Sequence, residues 1–184
     1  MSAITLHLDR DIHIRAFEAK DQEQVFELDM DAFHGSWEAQ LAKDLRECGA
    51  SILELVAVGH KDQVESGEVI GHLMASRVTG GGKGHLLDIS VLTPVSVCPH
   101  HQHRRVGTAM IIEAIDHLQR MDEDLILALG PPEYFPRFGF KAELAKRLQG
   151  PYAGPVFSAL ALTQEGKQYF PFEVSFPTPF EDLE

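Results

Sequence analysis

Thiols are scarce in this chain. It carries two cysteines, Cys48 and Cys98, with no CxxC or other ligand-spaced pair. A disulfide framework and a thiolate zinc site are therefore not indicated. Long apolar runs are missing as well, and no stretch approaches the ~18 residues that a bilayer-spanning helix requires. The start of the chain, Met1 to His7, lacks a basic flank leading into an apolar stretch and does not read as a signal peptide. The expectation is a reduced, cytoplasmic protein that is not embedded in a membrane. Positive charge is the third shortage: 16 Lys+Arg stand against 28 Asp+Glu, a formal net charge of −12. A field of that sign repels phosphate backbones and anionic lipid surfaces, so neither nucleic acid nor membrane is an expected partner. No GxSxG or Ser/His/Asp pattern occurs, which argues against a covalent acyl-enzyme. Internal repeats and low-complexity tracts are also absent.

What is present fits one folded domain. At 184 residues and 44% hydrophobic composition, the chain can bury a core without staples. Ile12 to Phe17 alternates with period two and predicts a strand. Glu18 to Phe33 carries Val25, Phe26, Leu28, Met30 and Phe33 at helical spacing, and Gly35 is the expected stop. Ser36 is the expected N-cap of a second helix with Trp37, Leu41, Leu45 and Cys48 on its apolar face and Gly49 at its end. Ile52–Val58 and Glu68–Val78 predict an antiparallel pair joined by a polar turn over 60–67. Gly80 to Gly84 reads as a flexible turn. Leu86 to Cys98 reads as a long extended segment, and Pro94 within it marks a bulge or an edge.

Val106 to Arg120 predicts a strong amphipathic helix, and Leu125 to Leu129 a short buried strand. Phe138–Ala142 and Phe157–Leu162 are further strand candidates, and Phe170 to Phe180 reads as an extended edge. The order β-α-α-β-β-β-α-β-α-β-β indicates a single mixed α/β domain. Within it, residues 1–11 are expected to form an N-terminal extension, 12–145 the core, and 146–184 the C-terminal strands.

The segment before the main helix carries the most chemical information. From Ile89 through Ile112 there is no Asp or Glu, where the chain's average would place roughly four. Within that span lies Pro99-His100-His101-Gln102-His103-Arg104-Arg105-Val106-Gly107-Thr108-Ala109. A strand, a polar glycine-containing loop and a helix start form the layout that binds phosphate, because free amides and the helix dipole both favour an anion there. A merely solvated basic loop is the alternative. A metal site on His100, His101 and His103 is disfavoured, because adjacent loop histidines seldom converge on one ion. For Cys98, burial at a strand end is favoured over a reactive thiol.

Pro94 through Ala109 resembles motif A of the GNAT superfamily of acetyl-CoA-dependent N-acetyltransferases. The stretch Leu129-Gly130-Pro131-Pro132-Glu133-Tyr134-Phe135-Pro136-Arg137-Phe138-Gly139-Phe140 resembles the motif that follows it. More narrowly, the wording is similar to that of the bacterial YhbS-like acetyltransferases. The resemblance implies the acyl-CoA N-acyltransferase fold: a central, mostly antiparallel twisted sheet with a splayed parallel strand pair and flanking helices. It implies acetyl-CoA as co-substrate, an amine as acceptor, no metal, and a possible homodimer.

The cofactor residues implied are Val95, Val97, Gln102, His103, Arg104, Arg105, Val106, Gly107, Thr108, Ala109, Tyr134, Phe135 and Arg137. The acceptor surface implied is His34, Trp37 and Glu38. The family's loop pattern can be laid on this sequence in two registers. The first, from Gln102, puts Arg105 at the first glycine position and Gly107 at the second. The other, Arg104-x-x-Gly107-x-Ala109, shifts by two residues. The first agrees better with the proline spacing, and it requires Arg105 to take a backbone conformation that glycine favours.

Direct attack by a neutral amine is the chemistry the resemblance implies. A lysine-type amine of pKa ~10.4 is only about 0.04% neutral at pH 7, so a general base is useful. Asp88, Glu133 and Glu38 are the candidates. The family tyrosine that protonates the leaving thiolate falls on Phe135, and the neighbouring Tyr134 carries the only nearby hydroxyl. The departures at Arg105 and Phe135 keep a second reading open, a non-catalytic acyl-CoA-binding sensor or partner-binding domain.

Overall fold

The computed structural model describes residues 12–59, 67–82, 85–149, 156–168 and 172–181. The expected N-terminal extension, most of the turn over 60–67, Lys83, Gly84 and Phe170 lie outside the described residues. The strands are β1 (Ile12–Ala16), β2 (Ser51–Gly59), β3 (Glu68–Gly82), β4 (His85–Val97), β5 (Leu125–Leu129), β6 (Leu148–Gln149), β7 (Phe157–Ala161) and β8 (Phe172–Ser175). The helices are α1 (Gln22–Phe33), α2 (Trp37–Glu47), α3 (Val106–Arg120) and the short α4 (Ala142–Ala145). The sheet runs β1-β2-β3-β4-β5-β7, with β8 pairing to the far end of β3 and β6 pairing to β8. Along the main path every neighbouring pair is antiparallel except β4–β5, which is parallel.

Period-two alternation divides the core between the two sheet faces. Val91 of β4 and Leu127 of β5 pack with Leu41 and Leu45 of α2, while Leu92 and Ile126 pack on the other face with Met110, Ile111 and Leu118 of α3. A third cluster joins Val25 and Leu28 of α1 to Val56, Val58 and Val69. Helix α3 comes close to the sheet because β3 offers Gly71 beneath it. A Cβ at Gly71 would lie 2.7 Å from Met110 Sδ and 3.2 Å from Val106 Cγ1. Burying Ile111 and Leu118 completely contributes about 1.5–3 kcal/mol each.

Several expectations need correction. Gly80, Gly81 and Gly82 are not a flexible turn. They pair with Leu87, Leu86 and His85 of β4, and Gly80 and Gly81 also pair with β8. Phe138–Ala142 is not a strand: a 3-10 turn over Phe135–Phe138 ends at left-handed Gly139, and only Lys141 bridges to Ala159. The Phe-rich end is no edge, because β8 lies between β3 and β6 and a 3-10 turn follows at Thr178–Phe180. Helix α1 is stopped by His34 in left-handed conformation, one residue before Gly35. Ser36 occupies the N-cap of α2 without a side-chain cap bond. Trp37 and Cys48, at the two ends of the α2 stripe, are exposed. The bulge expected at Pro94 is present: between Leu73↔Val95 and Ala75↔Leu92 the β4 side holds one extra residue.

Candidate active site

Strand β4 and strand β5 part company halfway along. Their pairing runs from Ile89↔Leu125 to Leu92↔Ala128 and stops there. Beyond it β4 continues to Val97 paired with β3 only, and among the described residues no strand lies against its β5-facing edge. The separation opens a cleft of about 900 Å³, walled by Thr93, Pro94, Val95 and Val97 on one side and by Leu129, Gly130 and Pro131 on the other. The bulge at Thr93–Pro94 inverts the alternation of β4, so Val95 and Val97 face the α3 side, the side Leu92 already faces.

At the end of the cleft lies the start of α3. The first backbone bond of that helix runs from the Ala109 N–H to the Arg105 carbonyl. The amides of Val106, Gly107 and Thr108 precede it and have no acceptor within the helix. His103 has φ 61° and Arg105 φ 68° with ψ 8°. Left-handed residues placed this way turn successive N–H groups into a concavity that suits an anion. Arg105 thus adopts the backbone that the first register of the loop demands of it. Gln102 folds back and donates from Nε2 to the Val97 carbonyl at 3.2 Å, tying loop to strand.

Tyr134, Val97 and Gly107 converge. A Cβ placed on Gly107 would lie 3.0 Å from the Tyr134 hydroxyl oxygen and 3.4 Å from Val97 Cγ2. Arg137 stacks its guanidinium 4.2 Å over the Tyr134 ring and donates from Nε to the Tyr134 carbonyl at 2.9 Å. Phe135, at the position of the family tyrosine, is instead buried against Phe140 with ring centroids 5.4 Å apart. The mouth of the cleft is formed by Phe33, Trp37 and Glu38 where α1 meets α2, and by Phe180.

The expected site residues divide accordingly. Val95, Val97, Gln102, His103, Arg105, Val106, Gly107, Thr108, Tyr134, Phe135, Arg137, Trp37 and Glu38 all line the cleft. Arg104 lies exposed in the loop between the two left-handed residues, and Ala109 is buried behind the first turn of α3. Neither lines the cleft. His34 does not line it either, being exposed at the end of α1.

Two proposed bases are misplaced. Asp88 lies near the opposite end of β4, paired with Thr79, its side chain 69% exposed and 3.5 Å from Arg77. Glu133 is exposed on the aromatic turn and does not line the cleft. Sequence proximity to the motifs brought both forward, but β4 is long and only its last residues form the site. Among the described residues lining the cleft, Glu38 is the one carboxylate. No group of three or more His, Cys, Asp and Glu side chains stands where it could hold a metal ion, among the described residues.

A buried polar cluster went unread in the sequence. His72 of β3 is fully buried, with Nδ1 2.9 Å from Asp29 Oδ2 and Nε2 3.0 Å from Glu54 Oε1. The Ser96 hydroxyl donates to Asp29 Oδ1 at 2.5 Å. Arg46 of α2 forks onto Glu54, with Nη2 2.7 Å from Oε1 and Nε 3.0 Å from Oε2, and stacks 4.5 Å over the Phe17 ring. Burial alone pulls His72 down, but the Asp29 charge and hydrogen bond, joined by Glu54, outweigh it and raise the imidazole to about 9. Burial pushes Glu54 up, and the bonds from His72 and Arg46 more than reverse this, leaving it below the usual carboxylate range. Only a polar residue recurring at the buried positions of α1 and β3 could have signalled this cluster.

A splayed parallel pair within an otherwise antiparallel path, opening onto the bare amides of a following helix, defines an acyl-CoA-binding fold. Residues 13–142 match the family model described as an acetyltransferase (GNAT) domain, and the chain belongs to that family.

Two curated relatives from Escherichia coli K12 are both named as uncharacterized N-acetyltransferases. YjhQ is 29% identical over 67% of this chain and 66% of its own length. YhbS is 30% identical over 60% of this chain and 62% of its own. The chain thus matches just under two-thirds of their lengths. Among solved structures, E. coli YhbS in complex with CoA superposes with a TM-score of 0.81 at 25% identity, covering 96% of each chain. A GNAT family acetyltransferase from Brucella melitensis in complex with acetyl-CoA gives 0.73 at 28% identity, covering 92% of this chain and 97% of that one.

Proposed function

We propose that this protein transfers an acetyl group from acetyl-CoA directly to a primary amine of a small molecule or a protein. One observation carries the reading: the β4–β5 splay opens a cleft that ends on the unpaired amides at the start of α3. Those amides, with His103, Arg105 and Gln102 around them, fit a diphosphate in position and charge. The absence of a side chain at Gly107 keeps that seat open. The free edge of β4 from Thr93 to Val97 offers backbone partners to an extended pantetheine arm. A backbone N–H at Val97 suits the thioester oxygen as it gains charge. The relatives crystallised with CoA and acetyl-CoA support the choice of co-substrate.

In the step proposed, the amine nitrogen attacks the thioester carbonyl carbon. The C–N bond forms, the C–S bond breaks, and the amine gives up one proton as the sulfur leaves. Glu38 is assigned the amine's proton, directly or through water, and holds the incoming ammonium before it is neutralised. Tyr134 replaces the missing tyrosine at Phe135 and donates its proton to the departing thiolate. A thiol of pKa ~8.5 leaves fairly well unaided, so this donation is an aid to turnover and not a requirement. Phe33, Trp37 and Phe180 give the acceptor mouth apolar walls, which favours an amine carried on an apolar body.

The test is release of free thiol from acetyl-CoA across a panel of aliphatic, aralkyl and peptide amines. Turnover with at least one, lost about 100-fold in the Glu38→Gln variant, is the expected result. Saturable coenzyme A binding with no turnover across the panel would replace the enzyme reading with that of a coenzyme A-binding sensor.

A further inference from the structure

None of Asp29, Glu54, His72 and Ser96 lines the cleft, and α1 does not need the cluster for attachment. Val25 and Leu28 already hold that helix to Val56, Val58 and Val69. Well-packed apolar residues in place of a buried ion pair often hold an element as well. What the cluster supplies is direction, and the direction is toward the wall of the cleft.

Ser96 lies between Val95 and Val97, the two residues through which the end of β4 forms that wall. Successive side chains of a strand point to opposite faces. The bulge sets the phase: Val95 and Val97 turn to the α3 side, and Ser96, 3% exposed, turns to the α1 side and meets Asp29. This end of β4 is thinly held. It has lost β5 beyond Leu92, and the bulge breaks its register with β3. Its remaining sheet pairings are Leu73↔Val95, His72↔Ser96 and Gly71↔Val97. The residue across from Ser96 is therefore His72, which also fixes Asp29 at 2.9 Å. One of these rungs, His72↔Ser96, carries both a strand pairing and the side-chain tie.

We propose that Asp29, oriented by His72, positions the Val95–Val97 wall of the coenzyme A cleft through the hydrogen bond it receives from Ser96. Asp29, His72 and Ser96 are positioning residues, and none of them meets substrate. The inference rests on the acetyl-CoA reading of the cleft and adds to it the device that holds the cleft's wall in register.

The test compares Ser96→Ala, which removes one hydroxyl, with Ser96→Thr, which keeps it, and with Asp29→Asn. Coenzyme A binding is measured by calorimetry at 25 °C and pH 7, and urea midpoints are recorded alongside. Ser96→Ala is expected to weaken coenzyme A about tenfold, or about 1.4 kcal/mol, and Ser96→Thr to restore it to within about twofold. Asp29→Asn combined with Ser96→Ala should bind no more weakly than Asp29→Asn alone, because both act through one bond.

A purely structural role would lower the urea midpoint and leave the affinity unchanged, and that result overturns the proposal. Should Asp29→Asn fail to fold, the Ser96 pair decides the matter unaided. Wild-type protein that does not bind coenzyme A would overturn the acetyl-CoA reading and this proposal together. Binding by wild type with equal binding by Ser96→Ala overturns the proposal alone.

Discussion

Raising the pH from 6.5 to 9.5 should destabilise this protein through a single imidazole. His72 is completely buried and faces Asp29 on α1, Glu54 on β2 and Ser96 on β4, with Arg46 of α2 beyond Glu54. Its folded value of about 9 stands against an ordinary 6.5. The folded state thus binds this proton more tightly than the unfolded chain does. The stabilisation is complete below about pH 6.5, falls as pH rises, and is gone above about pH 9. A displacement of that size corresponds to about 3 kcal/mol, at about 1.4 kcal/mol per unit. That is a large share of the 5–15 kcal/mol typical of a folded domain.

Urea unfolding at intervals from pH 6.5 to 9.5 measures this directly, with His72→Asn as the comparison because it removes the titrating ring. Wild type should lose about 3 kcal/mol more than the variant across the window. Parallel curves for the two proteins would refute the reasoning, as would an imidazole carbon resonance of His72 titrating near 6.5. The opposite limb belongs to Glu54, whose folded value lies below the ordinary one. Its contribution is present above about pH 4.5 and is lost as pH falls through the folded value.

Three substitutions probe the cleft itself. Gly107→Trp fills the space between Tyr134 and Val97 and should weaken coenzyme A by at least about 100-fold. Unchanged affinity in calorimetry would contradict the placement of the diphosphate. Tyr134→Phe should lower kcat about tenfold and leave the acetyl-CoA KM within about twofold, and a pH–rate profile identical to the parent's would remove Tyr134 as the acid. Arg105→Gly should act in two directions. Releasing a side chain from φ 68° should add up to about 1 kcal/mol of stability, while loss of the guanidinium should weaken coenzyme A several-fold at low salt. A variant that gains stability with no change in affinity would show that Arg105 serves the loop through its backbone alone.

How much of this could be read from the residues depended on whether the signal was local. Helix α3 was legible to its ends, Val106 and Arg120, because its apolar stripe repeats at 3.6 residues and a polar loop precedes it. The bulge at Pro94 was legible because proline cannot serve a ladder. The glycines at 80–82 misled, since glycine marks flexible turns and crowded strands alike. Here Gly81 lies so close to the His85 carbonyl that no side chain fits. Asp88 misled for a related reason: its neighbours along β4 belong to the site, but strand length carries it to the far end of the sheet. Glu38 became distinct from the other acids only once α1, α2 and the cleft mouth were brought together.

The cluster around His72 was the least legible, and its invisibility has a physical cause. Its members are separated by 43 residues between Asp29 and His72 and by 67 between Asp29 and Ser96, so no motif spans them. Asp29 also lies in an acidic helix, where one more carboxylate reads as a solvated face. Its burial is decided by helical phase, which sets it beside Val25 and Leu28 and apart from Glu27 and Asp31. A shift of one residue toward Met30, which is exposed, would have returned it to solvent. Ser96 depends on the bulge in the same manner: a regular β4 would turn it to the α3 face and leave Asp29 without its donor. The irregularity that splays the cleft is thus also the one that completes the cluster, and a variant that straightens β4, such as deletion of Thr93, should lose coenzyme A binding and the Ser96–Asp29 bond together, while His72, still facing Asp29 and Glu54, keeps its raised titration.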